Sequence, residues 1–146
     1  MTDVFDTGAI AAVADERSTL EAFLDYYRSA VAAKVRGISE DDARRRLVPS
    51  RTTMAGLIKH LTRVEMSWFQ HRLGQVPAED LPLVAAVMED EESDFFVGPD
   101  ESVERLLARY AEQCARSRAT AAKFDLDEVV PHPVLGEAPC AGSSPT

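Results

Sequence analysis

Three stretches of this 146-residue chain repeat apolar residues three and four apart over several helical turns, and that spacing constrains the fold more than any other feature. Leu20, Phe23, Leu24, Tyr27, Val31 and Val35 fall on one side of a helix from about Ser18 to Arg36, and Gly37 suits its C-terminal stop. Leu57, Leu61, Val64 and Trp68 form a second stripe, with Ile58 at one side and Lys59, Arg63 and Gln70 opposite. Thr52 or Thr53 can cap its start, and Gly74 suits its end. Val103, Leu106, Leu107, Tyr110, Cys114 and Ala121 share one face of a third helix from about Ser102 to Phe124. No stretch alternates long enough to read as a strand. The sequence predicts an all-α bundle of three long helices plus short ones. Trp68 reads as a core anchor, whose truncation to alanine would cost about 3 kcal/mol if fully buried.

The segments between the long helices carry weaker signals. Ser39-Glu40-Asp41-Asp42 has an N-cap serine with an acid three residues on, and it opens a short helix that ends before Pro49. Arg44, Arg45 and Arg46 are the one basic run, and the acids directly before them make a salt-bridged helix surface the expected reading. From Gln75 to Glu104 there is no Lys or Arg, while Glu89 to Glu92 and Asp94 accumulate acid. That connection reads as solvated surface or a bundle crossover, and its apolar patch from Leu81 to Met88 as a short helix. After Phe124 the composition turns to Pro, Gly, Ser and Ala, and the ending reads as a disordered tail. The organisation expected is an N-terminal extension over 1–14, a helical bundle over 15–137 and a tail over 138–146.

The charge balance excludes several functions. A formal net charge of -9 and a pI near 4.8 offer no electrostatic footprint for nucleic acid and little attraction to anionic membranes. No apolar run is long enough to span a bilayer, and the acidic start is no secretory signal. The two cysteines, Cys114 and Cys140, form neither a disulfide framework nor a metal-type spacing. The expected compartment is the cytoplasm. Cys114, in mid-stripe, reads as a small buried hydrophobe before a reactive thiol.

The residues able to carry chemistry are few. His60 sits at the edge of the second stripe, and His71 lies on nearly the same edge about 16 Å further along, too far to share one metal ion. His132 stands alone between two prolines. No His-x-x-x-His pair, nucleophilic triad order or phosphate loop is present, so no catalytic residue can be assigned. Glu65 is the unusual carboxylate, on the apolar side near Trp68. It must find a partner in the interior. It reads as a ligand, an outer hydrogen-bond acceptor for a histidine or a general base; the structural alternative, weighted higher, is a pairing with Arg28 or Arg118.

Several of these pieces resemble the DinB-like family of bacterial four-helix bundles over most of the chain. They are Glu16-Arg17 with Leu20 and Phe23-Leu24, Gly37-Ile38-Ser39, Leu47-Val48-Pro49-Ser50, and above all Leu57-Ile58, His60-Leu61, Val64-Glu65 and Trp68-Phe69. The resemblance implies an up-down bundle that holds a divalent metal, zinc or nickel, between helices. It implies relatives that include mycothiol-dependent maleylpyruvate isomerase and bacillithiol transferases, with a small thiol as partner. His60 matches the family's ligand on the second long helix. The other ligands of the family come from a last helix, expected just after Gly136-Glu137, where this sequence reads Ala138-Pro139-Cys140 instead.

A truncated or frameshifted last helix is therefore the expectation, with a metal not stably held by this chain. Two functions follow. One is a non-enzymatic or defective helical protein that self-associates as a homo-oligomer through the groove left open. The other is a metal-dependent thiol transferase whose ligands are completed by another chain.

Overall fold

A computed structural model describes residues 16–46, 52–125, 129–132 and 136–139. The helices are α1 (Glu16–Arg36), α2 (Glu40–Ala43), α3 (Met54–Glu65), α4 (Pro82–Glu89) and α5 (Val103–Ala121). α3 continues without a break into a π-helical segment, Met66–Leu73. Two 3-10 turns, Ala78–Asp80 and Ser93–Phe95, flank α4. The first 14 residues, the Leu47-Val48-Pro49-Ser50 motif and the last seven residues, 140–146, lie outside the described residues.

Hydrogen bonds hold the helix starts, two of them at caps read from the sequence, Ser39 and Thr53. Ser39 accepts from the Asp42 amide at 3.1 Å, Thr53 from Gly56 at 2.9 Å and Ser102 from Arg105 at 3.2 Å. Thr53, and not Thr52, is the cap of α3. The Arg17 guanidinium reaches the carbonyls of Ala121 and Phe124, so the start of α1 closes the end of α5. Arg44 and Arg45 pair with Glu40 and Asp42, as expected of that surface.

Val35, Ala43, Ala55, Ile58, Val103, Leu106, Tyr110 and Cys114 form the core, where α3 packs on α5 and α1 closes one side. One ion network ties the three long helices together. Arg28 of α1 grips both oxygens of Glu65 at 2.7 and 2.8 Å and also bonds Asp25, which accepts from Arg118 of α5.

Two findings differ from the sequence reading. Trp68 is 51% exposed and is not a core anchor. The buried face of α3 is Ala55, Ile58 and Thr62, and the next buried position is Ser67, five residues on rather than four. The wider π turn brings Ser67 inward, whereas Trp68 stands outside because the inward face of α3 already runs through Ile58 and Thr62 and not through the half-buried stripe Leu57, Leu61 and Val64 that Trp68 continues; Arg72 lies over its ring at 4.3 Å. Gly74 caps the end of this segment, as expected, with a helical φ of -77°, and Gln75 after it takes the positive φ of 57°. Finally, Val129–His132 (β1) and Gly136–Pro139 (β2) pair as an antiparallel ribbon in a region with no strand signal, and β1 lies against the π segment. β2 carries paired residues to Pro139, two positions into the stretch expected as tail. The β-branched pair Val129-Val130 is the local reason a strand is tolerated there.

Ile58→Ala should lower stability by about 2–5 kcal/mol in urea unfolding, whereas Trp68→Ala should cost less than about 1 kcal/mol. Equal losses would contradict this orientation of α3. Glu65→Ala strands a buried guanidinium and should cost about 3 kcal/mol, while the double change Arg28→Met with Glu65→Leu should recover most of that loss.

Candidate functional site

One face of α3 is given over to seating the Ser93–Phe95 turn. Gly56, Lys59, His60 and Arg63 stand three and four apart and so share that face. At Gly56 the carbonyl oxygen of Phe95 lies 2.5 Å from where a β-carbon would be, an approach only glycine permits. The Lys59 ammonium donates to the Phe96 carbonyl at 2.7 Å and to Glu101 at 2.9 Å. Arg63 Nε donates to Asp94 Oδ2 at 2.8 Å. From the other side, Arg44 donates to the carbonyls of Gly98 and Glu101.

His60 lies within this arrangement. Its Nδ1 is 2.7 Å from Asp94 Oδ2, and its ring stacks on Phe95 with centroids 4.2 Å apart and planes 17° from parallel. Asp94 is 1% exposed, while a quarter of the His60 side chain is open. The second oxygen of Asp94, Oδ1, and the hydroxyl of Ser93 are buried without a hydrogen-bond partner. A cavity of about 920 Å³ opens beside the turn, with Arg46, Thr53, Glu92, Ser93, Phe95 and Phe96 among its walls.

The other residues singled out by sequence are placed elsewhere. Both Glu65 oxygens are taken by Arg28, so the carboxylate against His60 is Asp94 and not Glu65. Burial works against the Arg28 charge, but the bonds and field of Glu65 overcome it and hold the guanidinium above its ordinary range. Cys114 is buried, and burial pushes its thiol up, with the Glu65 charge acting in the same direction. Burial likewise raises the Tyr110 phenol, which hydrogen-bonds Cys114. This is an inert polar interior. His71 points its Nδ1 at the Val76 carbonyl, 2.8 Å away, and shares no partner with His60. The side chain of His132 lies outside the described part.

A catalytic zinc site takes three protein donors. Among the described residues no group of three or more His, Cys, Asp and Glu could hold one ion. Around His60 the single neighbouring carboxylate already serves Arg63. The described residues alone therefore do not fit a divalent cation. No described helix is long and apolar enough to cross a membrane.

Sequence reasoning missed Asp94, Phe95 and Gly56. Asp94 was hidden in an acidic run that reads as solvated surface. The signal that could have marked it is the Phe95-Phe96 pair directly after it, an acid next to two large apolar rings.

A family model described as mycothiol-S-transferase matches residues 19–142. No curated protein and no solved structure matches the chain. The match covers the three long helices, the His60 face and the ribbon, and it agrees with the DinB-like resemblance carried by the residues around His60. The chain belongs to the mycothiol-S-transferase family, a DinB-like family.

Proposed function

We propose that this chain handles a low-molecular-weight thiol of the mycothiol type in the cytoplasm, with His60 as its working side chain. The observation that carries the reading is the partly open imidazole of His60. It stands at the position where the family resemblance expects a donor, and Asp94 and Phe95 hold it. Thiols react as thiolates. A site for them must take up the thiol proton or present positive charge to the sulfur, and an imidazole can do the first by itself. A divalent cation such as zinc or nickel is what the family implies for the second. His60 would be one of its donors, and the rest would have to come from outside the described residues or from another chain.

A single imidazole binds such an ion weakly. Purified and dialysed protein should therefore carry clearly less than one zinc or nickel per chain by elemental analysis. A value near one tightly held ion per chain would overturn weak holding and require a complete donor set.

A second reading is favoured by the apolar residues left outside the bundle. Leu24 and Tyr27 of α1 are exposed along one stripe with Leu20, and Trp68 is exposed on the π segment. In this reading the chain is a non-catalytic helical protein that self-associates through α1. Sedimentation equilibrium at micromolar concentration should then give a dimer or larger species, and Leu24→Glu should return it to monomer. A monodisperse wild-type monomer that binds no hydrophobic dye would remove this reading.

A further inference from the structure

We infer that Asp94 is the positioning residue of His60: it fixes the imidazole as the Nδ1–H form and leaves Nε2 as the nitrogen that works. That Nε2 is the working nitrogen rests on the reading of His60 given above; the proton's location stands on the geometry alone.

The argument is one of donors and acceptors. Arg63 can only donate, and its Nε reaches Asp94 Oδ2 at 2.8 Å, so that oxygen is an acceptor. His60 Nδ1 lies 2.7 Å from the same oxygen. Two bare acceptors would repel at that distance, so Nδ1 carries the hydrogen and donates it. Arg63 Nη2 also lies within hydrogen-bond reach of Nδ1, at 3.4 Å, but the contact of Nδ1 to Oδ2 is much the shorter and decides where the hydrogen sits. A neutral ring with its hydrogen on Nδ1 has its lone pair on Nε2. The same distribution is what a carboxylate imposes on a metal-binding or proton-accepting histidine.

The turn also sets the ring's orientation. Asp94 and Phe95 are neighbours in one 3-10 turn, so one backbone element supplies the bond at the ring edge and the stack on the ring face. An edge bond and a face contact together leave the imidazole no free rotation about its outer torsion. Gly56 and Lys59 fasten that turn to the helix that carries His60, and Arg63 holds the carboxylate. The four positions on this face of α3 thus act on the same turn, and among the described residues nothing bonds the second ring nitrogen of His60. Glu65, the carboxylate that sequence favoured for this role, is closed off by Arg28.

The test is to label histidine with nitrogen-15 and read long-range proton–nitrogen correlations of the full chain in alkaline buffer. His60 should show a pyrrole-type Nδ1 and a pyridine-type Nε2. Arg63→Met should keep that pattern, because it removes a neighbour and not the acceptor. Asp94→Ala should replace it with averaged shifts or with the opposite form. Asp94→Leu, similar in size and with no polar atom, covers the case in which the alanine variant does not fold, and a cooperative melt shows that each variant compared is native. A wild-type His60 with its hydrogen on Nε2, or a folded Asp94 variant with an unchanged pattern, overturns the inference.

Discussion

A helix offers a limited number of faces, and α3 commits them to different neighbours. Ala55, Ile58 and Thr62 pack into the core, where α3 meets α5. Glu65 at its end reaches across to Arg28 and so fixes α1. Gly56, Lys59, His60 and Arg63 take the turn before the third long helix. Helix packing depends on interdigitated side chains and responds to changes as small as one methylene. The placement of one helix therefore decides the core, the ion network and the candidate site together. The π segment that follows has the same standing. By spending one extra residue on a turn, it carries the inward face from Thr62 to Ser67, which is why a serine stands inside.

The two carboxylates buried along α3 show how similar electrostatic problems reach different ends. An acid taken out of water needs compensation, and in both cases an arginine provides it. At Glu65 the guanidinium lies fork to fork, with an oxygen for each nitrogen, and the pair is saturated. At Asp94 the guanidinium and the imidazole converge on one oxygen. The first arrangement is a structural tie. The second transmits the carboxylate's charge to a ring that is still open on its other side. In a chain of net charge -9, with acid spread over its surface, these enclosed carboxylates are set apart by their surroundings and not by their type.

Much of the scaffold was legible from residue spacing, because periodicity and caps are local. The three long helices, the caps Ser39 and Thr53, the short helix after Leu81 and the burial of Cys114 follow from neighbours within a few positions. The Arg28–Glu65 pairing was legible as one of two arginine partners, since a carboxylate on an apolar side requires one. Trp68 was not, because it continues the stripe of larger apolar residues Leu57, Leu61 and Val64, which is only half-buried, while the inward face runs through Ile58 and Thr62. Asp94 was not, because its burial is conferred by residues 31 and 34 positions away. An acid in an acidic run has no local property that separates it from Glu91 or Glu92. The ribbon escaped for a related reason, as its pairing spans two short segments rich in proline and glycine.

The approach of Phe95 to Gly56 has a consequence for cooperativity. Asp94 cannot reach the imidazole unless the turn lies flat on the helix, and the turn cannot lie flat against anything larger than a hydrogen atom at position 56. No intermediate docking distance keeps a 2.7 Å bond at the ring edge and a 4.2 Å stack on its face. The site thus has no half-assembled version. Local fraying of the acidic connection and dissolution of the arrangement around His60 are one thermodynamic event, and the protection of the turn's amides against solvent exchange would report directly on the fraction of molecules in which the site exists.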